Sequence, residues 1–160
     1  MIRPAEPRDH SPIRALLLAA FPDATEADLV ERLRADGFAE IELVAEEADG
    51  IIGHILFSPM EAPLRALGLA PVSVIPARQC AGIGSKLIER GHEIARAHGW
   101  QAIFLVGEPE YYRRFGYSQE AARSFECAYS GDYFMMLPLE QPLPVIVGEV
   151  CYPPPFAELG

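Results

Sequence analysis

The sequence predicts a single domain of the α+β class with mixed strand pairing, and three observations predict it. Apolar residues recur at helical spacing near the start and again over positions 81–98. Branched residues gather in strand-length runs between and after these stretches. A strand, a turn holding two glycines and the longest helix then follow one another directly at positions 72–98. At 160 residues the chain has the length of one domain and can bury one core, so residues 1–160 are read as a single domain.

Each element has its own signal. Asp9, His10 and Ser11 ahead of Pro12 suit a cap with proline in the first turn, and Ile13, Leu16, Leu17 and Ala20 give a helix over 12–21 one buried stripe. Pro22 ends it. Thr25 with Asp28 resembles a capping box, and Leu29, Val30 and Leu33 mark a second short helix that Gly37 closes. Residues 41–45 and 51–58 read as an antiparallel hairpin around an acidic turn from Glu46 to Gly50. A strand over 67–75 stops at Pro76, which has no amide to donate. The helix over 81–98 carries Leu87, Ile88, Gly91, Ile94 and Ala95 on one face, with Gly99 as its cap. The unbroken apolar run 102–106 predicts a central strand covered on both faces. A short helix over 109–115 ends at Gly116, and residues 133–139 and 145–150 supply the last strands before the irregular tail of Pro153, Pro154 and Pro155.

Composition excludes several functions. The formal charge of −10 offers no basic face to displace counterions, so nucleic acid is not expected as a partner. An acidic surface favours cationic small molecules or lysine-bearing proteins, and serves equally for solubility alone. The three cysteines, Cys80, Cys127 and Cys151, have no CxxC spacing, which argues against a disulfide framework or zinc ribbon and fits a reducing cytoplasm. The four histidines lack metal-ligand spacing, so no metal is expected. No apolar window reaches the ~20 residues of a membrane span, and no membrane partner is expected. No GxSxG elbow appears, leaving a hydrolase triad without support.

The segment most able to carry chemistry runs from Val72, Ser73 and Val74 through Ile75 and Pro76 to Gln79, Cys80, Ala81, Gly82, Ile83, Gly84 and Ser85. Glycines let the backbone approach a ligand closely, and the free amides of the following helix point at it with the positive end of the dipole. This is an anion cradle suited to a pyrophosphate. A Rossmann fingerprint needs glycine where Leu87 stands, and a Walker loop needs more than Gly84-Ser85-Lys86, so both fail. The pattern resembles the GNAT acetyltransferase motif: Gln or Arg, two residues, glycine, one residue, glycine, after a strand ending like Val74-Ile75-Pro76. A second segment, Gly107-Glu108-Pro109-Glu110-Tyr111-Tyr112-Arg113-Arg114-Phe115-Gly116-Tyr117, is similar to the family's short helix, whose tyrosine stands four residues before a glycine-aromatic pair.

The resemblance spans roughly residues 2–150 and includes a double-tyrosine subgroup of predicted N-acetyltransferases. It implies a GNAT-like acyl-CoA fold with a central mixed sheet of about six or seven strands and flanking helices. The strand ending at Val74 would splay from the 102–106 strand. Backbone groups of Val72, Ser73 and Val74 would pair with the pantetheine arm of acetyl-CoA, and Gln79, Cys80, Ala81, Gly82, Ile83, Gly84 and Ser85 would hold its pyrophosphate. Tyr111 belongs to the cofactor side, and Tyr112 would sit at the sulfur as general acid. The acceptor would be a primary amine of a small molecule or protein, attacking the thioester directly.

One departure matters. Where many relatives carry a glutamate base, the matching residue is Val106, leaving Glu108 as the candidate base ahead of Glu110, although both suit a solvated surface. Arg113 and Arg114 suit the 3′-phosphate or solvent, and His54 suits the cleft or the core. Three readings stay open: an N-acetyltransferase, a non-catalytic acyl-CoA-binding module, and an interaction protein with an acidic docking face. Homodimerisation through the last strands is compatible with all three.

Overall fold

The alternating, branched stretch at 41–59 folds as the hairpin its pattern requires. In the computed structural model, which describes residues 1–159, it forms β2 (Ile41–Glu47) and β3 (Gly50–Pro59), paired antiparallel around a turn at Ala48 and Asp49. Successive side chains point to opposite faces. Leu43, Ala45, Ile55 and Phe57 therefore enter one core, and Val44 and Leu56 enter another. Both faces of this hairpin are covered, which is why its apolar positions outnumber those of a half-exposed pair.

The remaining elements are β1 (Ile2–Pro4), α1 (His10–Ala20), α2 (Thr25–Ala35), β4 (Ala66–Val74), α3 (Ile83–Ala97) and β5 (Ala102–Val106). They are followed by α4 (Pro109–Arg113), α5 (Gln119–Ala122), β6 (Phe125–Glu126), β7 (Phe134–Pro138) and β8 (Gly148–Glu149). The main sheet has six strands in the order β1-β2-β3-β4-β5-β7, and only β4 with β5 is parallel. Helix α3 seats Leu87, Ile88 and Ala95 on one face of the sheet. Helices α1 and α2 cover the other with Ile13, Leu17, Val30 and Leu33. No helix among the described residues is long and apolar enough to cross a membrane.

Several expectations are corrected. β5 is buried on both faces but is next to last in the sheet, because β7 alone follows it. The strand expected over 145–150 reduces to Gly148 and Glu149, paired with β6 in a separate two-stranded sheet; Pro142 and Pro144 precede it, and Ile146 and Val147 remain exposed. The Thr25 capping box does not form. Asp23 accepts the Thr25 amide at 2.9 Å instead, and Asp28 is drawn to Arg14 at 3.0 Å. The outer edge of β7 is engaged by Ser118, whose amide donates to the Met136 carbonyl at 3.0 Å and whose carbonyl accepts the Met136 amide at 3.1 Å.

Asp9 does not cap α1 with its side chain. The carboxylate takes the Arg3 guanidinium bidentately at 2.7 and 2.9 Å and the Glu6 amide at 2.8 Å, while Arg3 Nε donates to Glu46 at 3.0 Å. This cluster fastens β1 and the turn before α1 onto β2. The Arg3 hydrogen bond outweighs the cost of burial and holds the Asp9 carboxyl down to about 2. Because the folded value is depressed, its stabilisation is complete above the ordinary value of 3.8 and is lost as pH falls toward 2. Asp9→Ala is expected to cost about 2–3 kcal/mol at neutral pH and to flatten that acid limb, measured by urea unfolding between pH 7 and pH 2.

Candidate active site

Strands β4 and β5 pair at Ala66 with Ala102, Leu67 with Ile103 and Gly68 with Phe104, and then part. On its other edge β4 stays bonded to β3 as far as Val74 opposite Gly53. The β5-facing backbone of the second half of β4 is thus left without a strand partner. A cleft of about 760 Å³ opens there, a volume in the range of small-molecule sites.

The far end of the cleft is the two-glycine turn. Cys80 and Gly82 both adopt left-handed backbone, with φ of +66° and +83°, and Gly82 is the N-cap of α3. Alternating left-handed positions curl successive amides toward one point, which is a general anion-binding geometry. The amides from Cys80 to Ser85 have no backbone carbonyl partner among the described residues; the first to be satisfied is Lys86, bonded to Gly82 O at 3.1 Å. A left-handed φ at a non-glycine residue costs free energy, so Cys80 is held there by the turn around it.

Two side chains brace this turn. Gln79 Nε2 donates to Val74 O at 3.1 Å, so its carboxamide ties the turn to the strand end. Arg78 forms an ion pair with Glu47 across the hairpin. A different cation faces the cleft without a carboxylate partner among the described residues. The Arg114 guanidinium lies 5.0 Å from the Tyr111 ring centroid and 5.4 Å from that of Phe115, and donates to Ser85 Oγ at 3.4 Å.

The aromatic wall comes from α4. Tyr111 and Tyr112 pack edge to face with centroids 5.0 Å apart, and both line the cleft. Gly107 is dictated by Tyr112: a β-carbon there would fall 2.4 Å from the ring. Behind it stands Tyr117, whose hydroxyl is hydrogen-bonded to His92 Nε2 at 2.8 Å. Burial, with the neighbouring Tyr111 adding to it, pushes the Tyr112 phenol up to about 12, so it carries its proton at neutral pH.

The structure brings together most of the residues singled out in the sequence. Val72, Ser73, Val74, Gln79, Cys80, Gly82, Ile83, Gly84, Ser85, Tyr111 and Tyr112 all line this one cleft. Ala81 does not; it stands exposed outside the lining. Glu108 and Glu110 are exposed at the start of α4 and are absent from the lining, and Arg113 turns away to bond Gln119 at 2.9 Å. No carboxylate or imidazole lines the cleft among the described residues. Ala20 and Phe21, at the end of α1, line it as well, although the sequence marks them only as a helix stopping at Pro22.

His54 lies wholly buried beneath the α1 and α2 face rather than open to the cleft. Its Nε2 is 2.8 Å from Glu42 Oε2, and Glu42 also takes Arg34 bidentately at 3.0 and 2.8 Å. Burial opposes the Glu42 charge, but the bonds from His54 and Arg34 overcome it and hold the carboxyl down to about 2. Burial also lowers the His54 pKa, partly offset by Glu42. Among the described residues no cluster of His, Cys, Asp or Glu could hold a metal ion. Gly107→Ala, which drives a β-carbon into a packed ring, is expected to cost about 1–3 kcal/mol in chemical unfolding.

Comparison with known proteins agrees with this geometry. Residues 39–119 match the family model described as the acetyltransferase (GNAT) domain. The chain is 34% identical over 135 residues to YhbS of Escherichia coli strain K12, described as an uncharacterized N-acetyltransferase, covering 82% of this chain and 81% of that protein. The crystal structure of E. coli YhbS in complex with CoA superposes with a TM-score of 0.94 at 32% identity, covering 100% of this chain and 93% of that one. A GNAT family acetyltransferase from Brucella melitensis in complex with acetyl-CoA has a TM-score of 0.82 at 36% identity, covering 98% and 97%.

Proposed function

The chain belongs to the GNAT acetyltransferase family, and from that premise we propose that it transfers an acetyl or similar short acyl group from acetyl-CoA to a primary amine in a ternary complex. The observation that carries this reading is the cleft itself: unpaired β4 backbone along one wall, unpartnered amides at one end and a protonated Tyr112 on the opposite wall. The relatives crystallised with CoA and acetyl-CoA support it.

Each group has a role in that reaction. The amides from Cys80 to Ser85 and the positive end of α3 hold the pyrophosphate, and Arg114 adds the one unpaired cation among the described lining residues. Backbone groups of Val72, Ser73 and Val74 pair with the pantetheine arm, placing the thioester beside Tyr112. As the amine attacks the thioester carbon, the C–S bond breaks and the Tyr112 hydroxyl gives its proton to the departing sulfur. Gln79 acts through the turn, by holding Val74, and Glu108 is given no part because it stands outside the lining. The acceptor is a small-molecule amine or a protein amino group.

A second reading, a non-catalytic acyl-CoA-binding module, is favoured by one observation: no carboxylate or imidazole lines the cleft among the described residues. The two part company in turnover, since only the first acetylates any member of an amine panel.

Calorimetric titration of acetyl-CoA tests the cleft. Wild type is expected to bind in the micromolar range, and the paired change Gly82→Trp, Gly84→Trp to abolish binding. Gly82 sits at φ +83°, and even a β-carbon at Gly84 already touches the Tyr111 hydroxyl at 3.4 Å. Wild type that fails to bind overturns both readings. Tyr112→Phe should bind acetyl-CoA within a few-fold of wild type while kcat falls by about 10²-fold, measured by thiol release.

A further inference from the structure

Helix α4 carries Tyr112 but is too short to fix it. Its 5 residues make little more than one turn, and an isolated turn does not hold its shape without packing against something else. The chain that follows adds only the amides of Phe115 and Tyr117, which donate to the Tyr112 carbonyl at 3.0 and 3.4 Å. The place of the phenol is therefore set by what its ring touches. On one side is Gly107, where a β-carbon would fall 2.4 Å from the ring, and on another is Tyr117, standing edge-on with ring centroids 6.0 Å apart.

Tyr117 brings a hydroxyl into the apolar core that α3 shares with the sheet, where the residue is only 2% exposed. Burial keeps the hydrogen on this phenol, and a buried hydroxyl needs an acceptor. Among the described residues it has one, His92 Nε2 on α3 at 2.8 Å. His92 is itself buried, and burial, with the charge of Arg96 adding to it, holds the imidazole down to about 4, so the ring is neutral at neutral pH and Nε2 is free to accept.

The bond joins the two walls of the cleft. Helix α3 begins at the two-glycine turn and is seated on the sheet through Leu87, Ile88 and Ala95. Two side-chain hydrogen bonds among the described residues tie it to the segment 111–117. Arg114 to Ser85, at 3.4 Å, is exposed to water; Tyr117 to His92 is shorter and buried, where a hydrogen bond is stronger.

We propose that the Tyr117–His92 hydrogen bond sets Tyr112 at the thioester sulfur, by fixing the wall that carries the phenol against the helix that begins at the pyrophosphate cradle. Tyr117 and His92 are positioning residues, since neither lines the cofactor cleft and neither moves a proton in the reaction. Their role rests on the transferase reading above, in which Tyr112 protonates the departing sulfur. Proton transfer needs phenol and sulfur within hydrogen-bond reach, and a displacement of about 1 Å can cost on the order of 10²-fold in rate. In that reading the cofactor is held by β4 and the amides from Cys80 to Ser85, which the anchor does not touch, so turnover and affinity part when it is lost.

The test compares Tyr117→Phe, His92→Leu, His92→Gln and the paired change Tyr117→Phe, His92→Leu with wild type, measuring acetyl-CoA affinity by calorimetry, kcat with the most active amine of the panel, and stability by urea unfolding. Tyr117→Phe and His92→Leu are each expected to lower kcat about 10-fold, Gly107 still holding one side of the ring, while acetyl-CoA affinity stays within a few-fold of wild type. His92→Gln, whose amide oxygen accepts the phenol hydrogen, recovers most of kcat. The paired change leaves neither partner buried and unpaired, so it regains stability over the single changes while kcat stays low. In a Tyr112→Phe background, Tyr117→Phe should cost no further kcat, because no phenol is left to place. Unchanged kcat in Tyr117→Phe, kcat that returns with stability in the paired change, or an undiminished loss in the Tyr112→Phe background overturns the anchor. Unchanged kcat in Tyr112→Phe, or acetyl-CoA binding with no amine acetylated, overturns the transferase reading instead, and the positioning role falls with it.

Discussion

The site depends on the parting of two parallel strands. β4 and β5 hold together over three residue pairs, enough to fix their relative height, and then separate while β4 remains laced to β3. Buried backbone groups normally find partners, so a strand edge left open inside a domain is costly unless something else occupies it. That requirement singles out the open half of β4 as a candidate binding surface. The turn at its end brings α3 into place, and α4, hung from the end of β5, supplies the opposite wall. Had β5 followed β4 to Val74, the cleft would be closed by an ordinary ladder and Tyr112 would face a sheet edge.

Charge acts here over short distances only. A chain with a formal charge of −10 repels an anionic cofactor at long range, but solution ions screen exposed charges beyond about 8 Å at physiological ionic strength. Inside that radius the lining holds no carboxylate among the described residues, and of its two arginines Arg78 is neutralised by Glu47. What the cleft offers an anion is therefore a set of unpartnered backbone amides plus Arg114, whose guanidinium lies over the Tyr111 and Phe115 rings.

Much of this was legible in the sequence because it rests on local rules. The glycines of the turn, the proline after the strand and the four-residue step from Tyr112 to Gly116 are all contiguous, and they mark the turn and the tyrosines that line the cleft. What escaped were partners far apart in sequence. Asp28 looks like a cap but meets Arg14, and the last strand shrinks to Gly148 and Glu149, paired with β6 outside the main sheet. Phe21 carries no signal at all, since only the packing of α1 on the sheet brings it to the cleft. Ala81 matches the motif in spacing and keeps its amide in the turn, yet it stands exposed outside the cleft lining, because spacing fixes where the backbone runs and not which way each side chain faces.

The buried histidine shows the same limit from the other side. Read along the chain, His54 sits between Gly53 and Ile55 in a strand, with nothing to tell a core residue from a functional one. Pairing supplies the difference. Register sets it opposite Ser73, β2 brings Glu42 to its outer nitrogen, and α2 brings Arg34 to that carboxylate. A buried ion pair is often no more stabilising than apolar residues of the same shape. Gain in stability alone is thus a weak reason for three polar side chains under an otherwise apolar face; what holds them together is the cost of losing one, since the others would be left buried without a partner.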